Sequence, residues 1–234
     1  MTSPRSYPQR NHSRPPDAIE ILLVRHGATE AAVEDQPFEL YEGQADPALS
    51  PIGELQAQAA AEALACEPLQ ALYITSLRRT AQTAAPLVQL SGLQPVVVAD
   101  LREVYLGELD GGAFRIALHA GDPRCAEVFR QERWDVVEGA ERMEDFAART
   151  RSGIDRIVAE TGPGATVAAI VHAGVIGELC RQATWSRPFA FTRVDNGAIT
   201  RLVIFGDGRW WVRSFNEIGH LAALARMSAG EHGP

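Results

Sequence analysis

The feature that most constrains this chain is a near-continuous apolar run, IEILLVR at residues 19–25, and its recurrence in kind further along. A run rich in branched side chains without polar alternation marks a strand buried on both faces. ALYIT (71–75), PVVVA (95–99) and TVAAIV (166–171) read the same way. Helix-like stretches separate them. Ser50-Pro51 opens the first, because the hydroxyl can cap free amides and proline suits the first helical position. The Ala-rich segment Ile52 to Leu64 behind it is a good helix former. Leu77 to Leu90 reads as a second helix with Pro86 as its weak point. Met143, Phe146, Ala147, Thr150, Ile154, Ile157 and Val158 recur at three- and four-residue spacing, which predicts a third. Another begins near Gly174. Strands alternating with helices imply an α/β fold: a three-layer sandwich with a largely parallel central sheet and helices on both faces. AITRLVIF and RWWVRSF around Gly206-Asp207-Gly208 add an antiparallel C-terminal hairpin.

No repeat or linker interrupts residues 18–224, so they are expected to form one domain. Residues 1–17, with Arg5, Arg10 and Arg14 among Pro and Ser, read as a flexible tail rather than a secretory signal, and 225–234 as a second tail. The apolar stretches are strand-sized, so no membrane partner is expected. Cys66, Cys125 and Cys180 show no metal-ligand spacing, which suggests reduced thiols in a cytoplasmic protein. A net charge of −8 weighs against nucleic acid. All 22 basic residues are arginine. Without lysine the chain cannot be a P-loop enzyme, a pyridoxal enzyme or a class I aldolase.

Ligands of open α/β sheets sit beyond the carboxyl ends of the strands. The predicted strands deliver Arg25-His26-Gly27, then Thr75-Ser76 with Arg78-Arg79, then Asp100, Arg102 and Glu103, then His172-Ala173-Gly174. Arginines gathered at one sheet edge need an anion, and their forks match phosphate oxygens. Helix starts after residues 76 and 173 would add amide dipoles of the same sign.

These residues carry a specific resemblance. LLVRHGATE resembles the RHG signature of the histidine phosphatase superfamily, the phosphoglycerate-mutase-like family. GQADPALSPIGELQA (43–57), TSLRRTAQTA (75–84), LREVYLGELDG (101–111) and VHAGVI (171–176) resemble its further motifs in the same order. The resemblance implies a metal-independent phosphomonoesterase acting on a small phosphorylated metabolite, with no cofactor. His26 would be the nucleophile, through a phosphohistidine, and Glu103 the general acid and base. Arg25, Arg79 and His172 would bind the phosphoryl oxygens, and Gly27, Thr29 and Ala173 belong to the phosphate loop or pocket. Arg79 is preferred to Arg78 because it stands three residues before Gln82-Thr83, as in the family motif. Ala32 occupies a position where the family often has asparagine.

Two alternatives stand beside hydrolysis: a phosphoglycerate-type phosphomutase and a non-catalytic phospho-ligand binder. The mutase pattern includes a lysine that this chain lacks, and the binder reading is weakened because nucleophile and acid are both present. The leaving group is expected to meet residues 31–46 and 105–139, which offer Phe38, Tyr41, Tyr105, Phe114, Phe129 and Trp134 beside Arg115, Arg124, Arg130 and Arg133. A sugar phosphate, a nucleotide-like phosphate or another small phosphoester all fit. The hairpin with Trp210 and Trp211 reads equally as a homodimer edge or a covered sheet edge.

Overall fold

In the computed structural model, which describes residues 6–9, 13–224 and 226, a six-stranded sheet forms the centre. Its strands are β1 (Ile19–Arg25), β4 (Ala71–Ile74), β5 (Pro95–Val97), β6 (Thr166–Val171), β7 (Ile199–Ile204) and β8 (Trp210–Glu217), in the order β5-β4-β6-β1-β7-β8. The first four positions run parallel, while β7 pairs antiparallel with β1 and with β8. Two short strands, β2 (Leu40–Tyr41) and β3 (Gln44–Ala45), make a separate hairpin.

The buried runs divide their side chains between two cores by the two-residue period of a strand. Ile19, Ile21 and Leu23 of β1, with Val167, Ala169 and Val171 of β6, face one side. There they meet α5 (Met143–Thr161) through Phe146, Ile154 and Ile157, and α6 (Ala173–Thr184) through Val175, Ile176 and Leu179. Leu22, Val24, Ala168 and Ile170 face the other side. Against them lie α1 (Pro51–Leu64), with Ala60, Ala61 and Leu64, and α2 (Arg78–Ser91), with Ala84 and Leu87. The expected three layers are present. Ser50 caps α1 by accepting from the Gly53 amide at 3.3 Å. Pro86 lies inside α2 without ending it; the helix is held on both sides of the proline by Ala84 and Leu87 in the core.

The expected strand at 95–99 is shorter. It stops at Val97, because the fully buried Val98 turns into the core and a 3₁₀ turn follows at Ala99–Leu101. Residues 105–139 hold two short helices, α3 (Ala113–Ala120) and α4 (Pro123–Gln131). Leu109, Ala117, Cys125, Val128 and Val137 give them a small core of their own. Arg14, expected in a flexible tail, instead donates to the Gly164 and Ala165 carbonyls at 2.9 and 2.8 Å and to Thr166 Oγ1 at 3.0 Å. A guanidinium has enough donors to satisfy all three acceptors at the start of β6. Arg5, Arg10 and, apart from Arg226, the C-terminal stretch 225–234 lie outside the described residues. Among the described residues no helix is long and apolar enough to cross a membrane.

Candidate active site

β1 and β6 run side by side and end together, with the His26 amide donating to the Val171 carbonyl at 3.0 Å. That pairing brings the two histidine-bearing ends to the same edge. The His26 and His172 rings meet edge-on with centroids 5.1 Å apart.

The hydrogen bonds of His26 fix its tautomer. Nδ1 lies 2.8 Å from the Gly27 carbonyl, which can only accept, so Nδ1 carries the proton. Nε2 accepts from Arg79 Nε at 3.2 Å and is therefore the unprotonated nitrogen. Burial, helped by the charges of Arg79 and Arg25, holds the imidazole well below the usual histidine range. The ring is neutral near pH 7. Its main chain is tied as well, because Asn196 Nδ2 donates to the His26 carbonyl at 2.9 Å.

Arg79 starts α2 and is buried, with 7% of its surface exposed. It donates from Nη1 to the Ala45 carbonyl at 2.7 Å. Burial pushes it down to about 10, with Glu103 and Asp46 pulling the other way. Arg78 points elsewhere: its amide donates to Asp46 Oδ1 at 2.8 Å and its side chain to the Asp46 carbonyl. Of the two arginines, Arg79 lines the cleft with His26. Arg25 donates to the Val194 carbonyl, while its Nε is buried without a partner. Burial lowers Arg25 too, against the opposing charge of Glu103.

Glu103 hangs from the turn after β5. Oε1 accepts from the Val104 amide at 3.0 Å and Oε2 from the Gly174 amide in the first turn of α6 at 3.1 Å. A Cβ on Gly174 would lie 2.4 Å from Oε1, so glycine is what lets the carboxylate approach the helix. The Glu103 carbonyl is held by Gln44 Nε2 at 2.6 Å and Arg149 Nη2 at 2.8 Å.

Arg25, His26, Arg79, Glu103, Ala173 and Gly174 line one cleft of about 300 Å³. His172 is fully buried and is not in the wall; its Nε2 meets Thr75 Oγ1 at 3.0 Å and its Nδ1 has no partner. Burial first, then Arg79, holds it well below the usual range. Two expected pocket residues serve other ends. Gly27 is a packing glycine, since a Cβ there would meet the Gly53 carbonyl oxygen of α1 at 2.3 Å. The Thr29 hydroxyl accepts from Arg115 Nη2 at 2.8 Å, at the junction with α3. Ala32 lies at that junction as well, 3.3 Å from where a Cβ on Gly112 would be.

Sequence reasoning missed Gln44, Asp46 and Asp110. Asp110 accepts from the Ala45, Gly111 and Leu106 amides at 2.7, 2.8 and 3.1 Å, joining β3 to the turn before α3. The only signal was its place in the LGELDG stretch. Of the arginines in residues 105–139, Arg124, Arg130 and Arg133 pair with neighbouring carboxylates: Asp122 and Glu108, Glu127, and Asp135 and Glu144 respectively. Among the described residues no three His, Cys, Asp or Glu side chains group closely enough to hold a metal ion.

A model of the histidine phosphatase superfamily (branch 1) matches residues 21–218. A bifunctional protein of Mycobacterium tuberculosis is 31% identical over 204 residues, covering 86% of this chain and 54% of its own length. The chain thus spans about half of that curated relative. A metal-independent phosphoserine phosphatase of Arabidopsis thaliana is 26% identical, with 93% of this chain and 89% of that protein covered. Among solved structures, a mycobacterial glucosyl-3-phosphoglycerate phosphatase superposes with a TM-score of 0.70 and 28% identity, over 85% of this chain and 99% of the other.

Proposed function

For a chain that belongs to the histidine phosphatase superfamily, we propose a phosphomonoesterase that hydrolyses a small phosphorylated metabolite through a phosphohistidine on His26. The observation that carries this reading is the protonation pattern of His26. Its Nδ1–H is pinned to the Gly27 carbonyl, and its lone pair on Nε2 lies beside Arg79, in a ring that lines the cleft. A neutral, oriented imidazole is a ready nucleophile.

Nε2 attacks phosphorus and the bond to the leaving oxygen breaks. Glu103 gives that oxygen a proton, and the alcohol departs. Water then attacks the phosphohistidine while Glu103 takes a proton back, releasing orthophosphate and the neutral ring. Phosphoryl transfer asks a protein chiefly for positioning and for positive charge opposite the oxygens. Arg25 and Arg79 are assigned that role, since both are buried cations whose charge an anion would offset. The partnerless Arg25 Nε is assigned to the same oxygens, and His172, which lies behind the cleft wall, is assigned to them on the family resemblance with its unpartnered Nδ1 as the available nitrogen. No metal or cofactor enters the steps. The names of the two phosphatase relatives favour hydrolysis over isomerisation.

Base-quenched turnover of an aryl phosphate followed by mass spectrometry tests the intermediate. Phosphate on His26, and loss of turnover in His26→Ala with the fold intact, are expected; an unchanged rate in that variant refutes the nucleophile. Incubation with a phosphoglycerate should release phosphate, and isomerisation without release would make the chain a mutase. Binding without either reaction would make it a phospho-ligand binder.

A further inference from the structure

The cleft has two unlike halves. Beyond the phosphoryl end its walls are carbon: Phe38, Leu106, Leu109, Phe114, Leu118 and Trp134 all face it. The aromatic part is braced from behind. Trp134 meets Phe114 edge-on at 6.0 Å and packs on Phe189 at 4.6 Å, so these rings have little freedom to turn aside. Gly112, at a φ of 97°, gives Phe38 its place, because a Cβ there would lie 2.9 Å from that ring.

The polar side chains of this outer half are already engaged within the protein. Asp110 accepts three backbone amides. Gln44 spends its amide nitrogen on the Glu103 carbonyl, and Thr192 donates to the Phe189 carbonyl at 3.2 Å. Arg115 holds the Thr29 hydroxyl and the Glu30 carbonyl and lies over the Phe38 ring at 5.7 Å. A polyhydroxylated leaving group entering here would surrender water from each hydroxyl and meet few side-chain groups with bonding capacity left, chiefly the Gln44 carbonyl oxygen and the remaining Arg115 N–H donors. An apolar one would replace water against carbon on several sides.

Resting on the phosphatase reading above, we infer that the substrate is the phosphomonoester of an alcohol with a hydrophobic, ring-sized body, not of a sugar or polyol. Arg115 keeps N–H donors beyond its bonds to Thr29 and Glu30 and suits an anionic substituent on that body.

Benzyl phosphate and glycerol 3-phosphate test this, since both are esters of primary alcohols with similarly poor leaving groups. At pH 7, kcat/KM for benzyl phosphate is expected to exceed that for glycerol 3-phosphate at least tenfold. Trp134→Ala and, at the more exposed edge of the wall, Leu118→Asn should each move this ratio toward one. The ratio is read within one preparation, so partial unfolding of a variant affects both substrates alike. Equal rates, a preference for glycerol 3-phosphate, or a ratio untouched by both substitutions would overturn the inference while leaving the phosphatase reading standing. No phosphate release from either ester or from an aryl phosphate would overturn both.

Discussion

The inner and outer halves of the cleft are built on opposite plans. At the inner end Arg25 and His26 close β1, His172 follows β6, Arg79 starts α2 and Glu103 follows the 3₁₀ turn behind β5, and the His26 main chain is bonded to Val171 and Asn196. The outer wall comes from residues 105–139, whose short helices pack on a core distinct from the two beneath the sheet. The inner half is therefore as rigid as the fold itself. The outer half is held by Asp110, a few ion pairs, the packing of Trp134 on Phe189 and its small core. On the proposed reading, chemistry sits on the part built into the sheet and selection of the alcohol on the part built beside it.

Four expected outcomes would sharpen or break that contrast. The largest is Glu103→Gln, which should slow turnover of an alkyl phosphate by about 10²–10⁴-fold. The loss should shrink for an aryl phosphate whose leaving oxygen needs no proton; an equal loss on both would remove Glu103 from the acid's role. Next, Ile154→Ala in the main core should cost about 2–5 kcal/mol of global stability, and Val128→Ala in the small core about 1–3 kcal/mol. Hydrogen exchange should show Val128→Ala opening α3 and α4 before the sheet, with KM rising; uniform loss of protection would mean the two cores unfold as one.

Acid should strike the inner half. The folded-state pKa values of His26 and His172 are depressed, so below the ordinary value near 6.5 the unfolded chain binds more protons than the native one. Stability should then fall as pH drops through 6.5, by up to about 1.4 kcal/mol per pH unit for each ring. A urea midpoint that holds constant or rises between pH 7.5 and 5.5 would contradict this. The smallest effect is that of Gly174→Ala. Its Cβ would press on the end of the flexible Glu103 side chain, not on backbone. Turnover should drop about tenfold, roughly 1.4 kcal/mol, while thermal stability stays level because alanine favours the helix.

The same division explains what the sequence made legible. Buried strands announce themselves by unbroken apolar runs, and the residues that follow them are pinned to the sheet edge by topology. The strand ends put His26, His172 and the group Asp100, Arg102 and Glu103 at that edge, while the family resemblance singled out Glu103 and, by the interval to Gln82-Thr83, preferred Arg79 to Arg78. The hairpin of β2 and β3 could not be read, since two-residue strands carry no periodicity. Gln44 and Asp110 were hidden for a related reason: their bonds go to backbone amides and carbonyls, the Glu103 carbonyl and the Ala45 amide lying far away in sequence, and such partners leave no trace in side-chain pattern. Gly27 and Thr29 sit within the signature that suggested a phosphate pocket, yet their contacts are with α1 and with Arg115. Adjacency to His26 in sequence did not translate into exposure to the cleft.

Arg14 has a practical consequence. It grips the start of β6, whereas the cleft lies past the end of that strand at Ala173. Six residues of strand at about 3.3 Å each put roughly 20 Å of sheet between them. A purification tag, a surface linker or a fused reporter added ahead of Arg14 would thus be anchored at the opposite end of the sheet. An enzyme immobilised from that side would keep its mouth turned toward the solution.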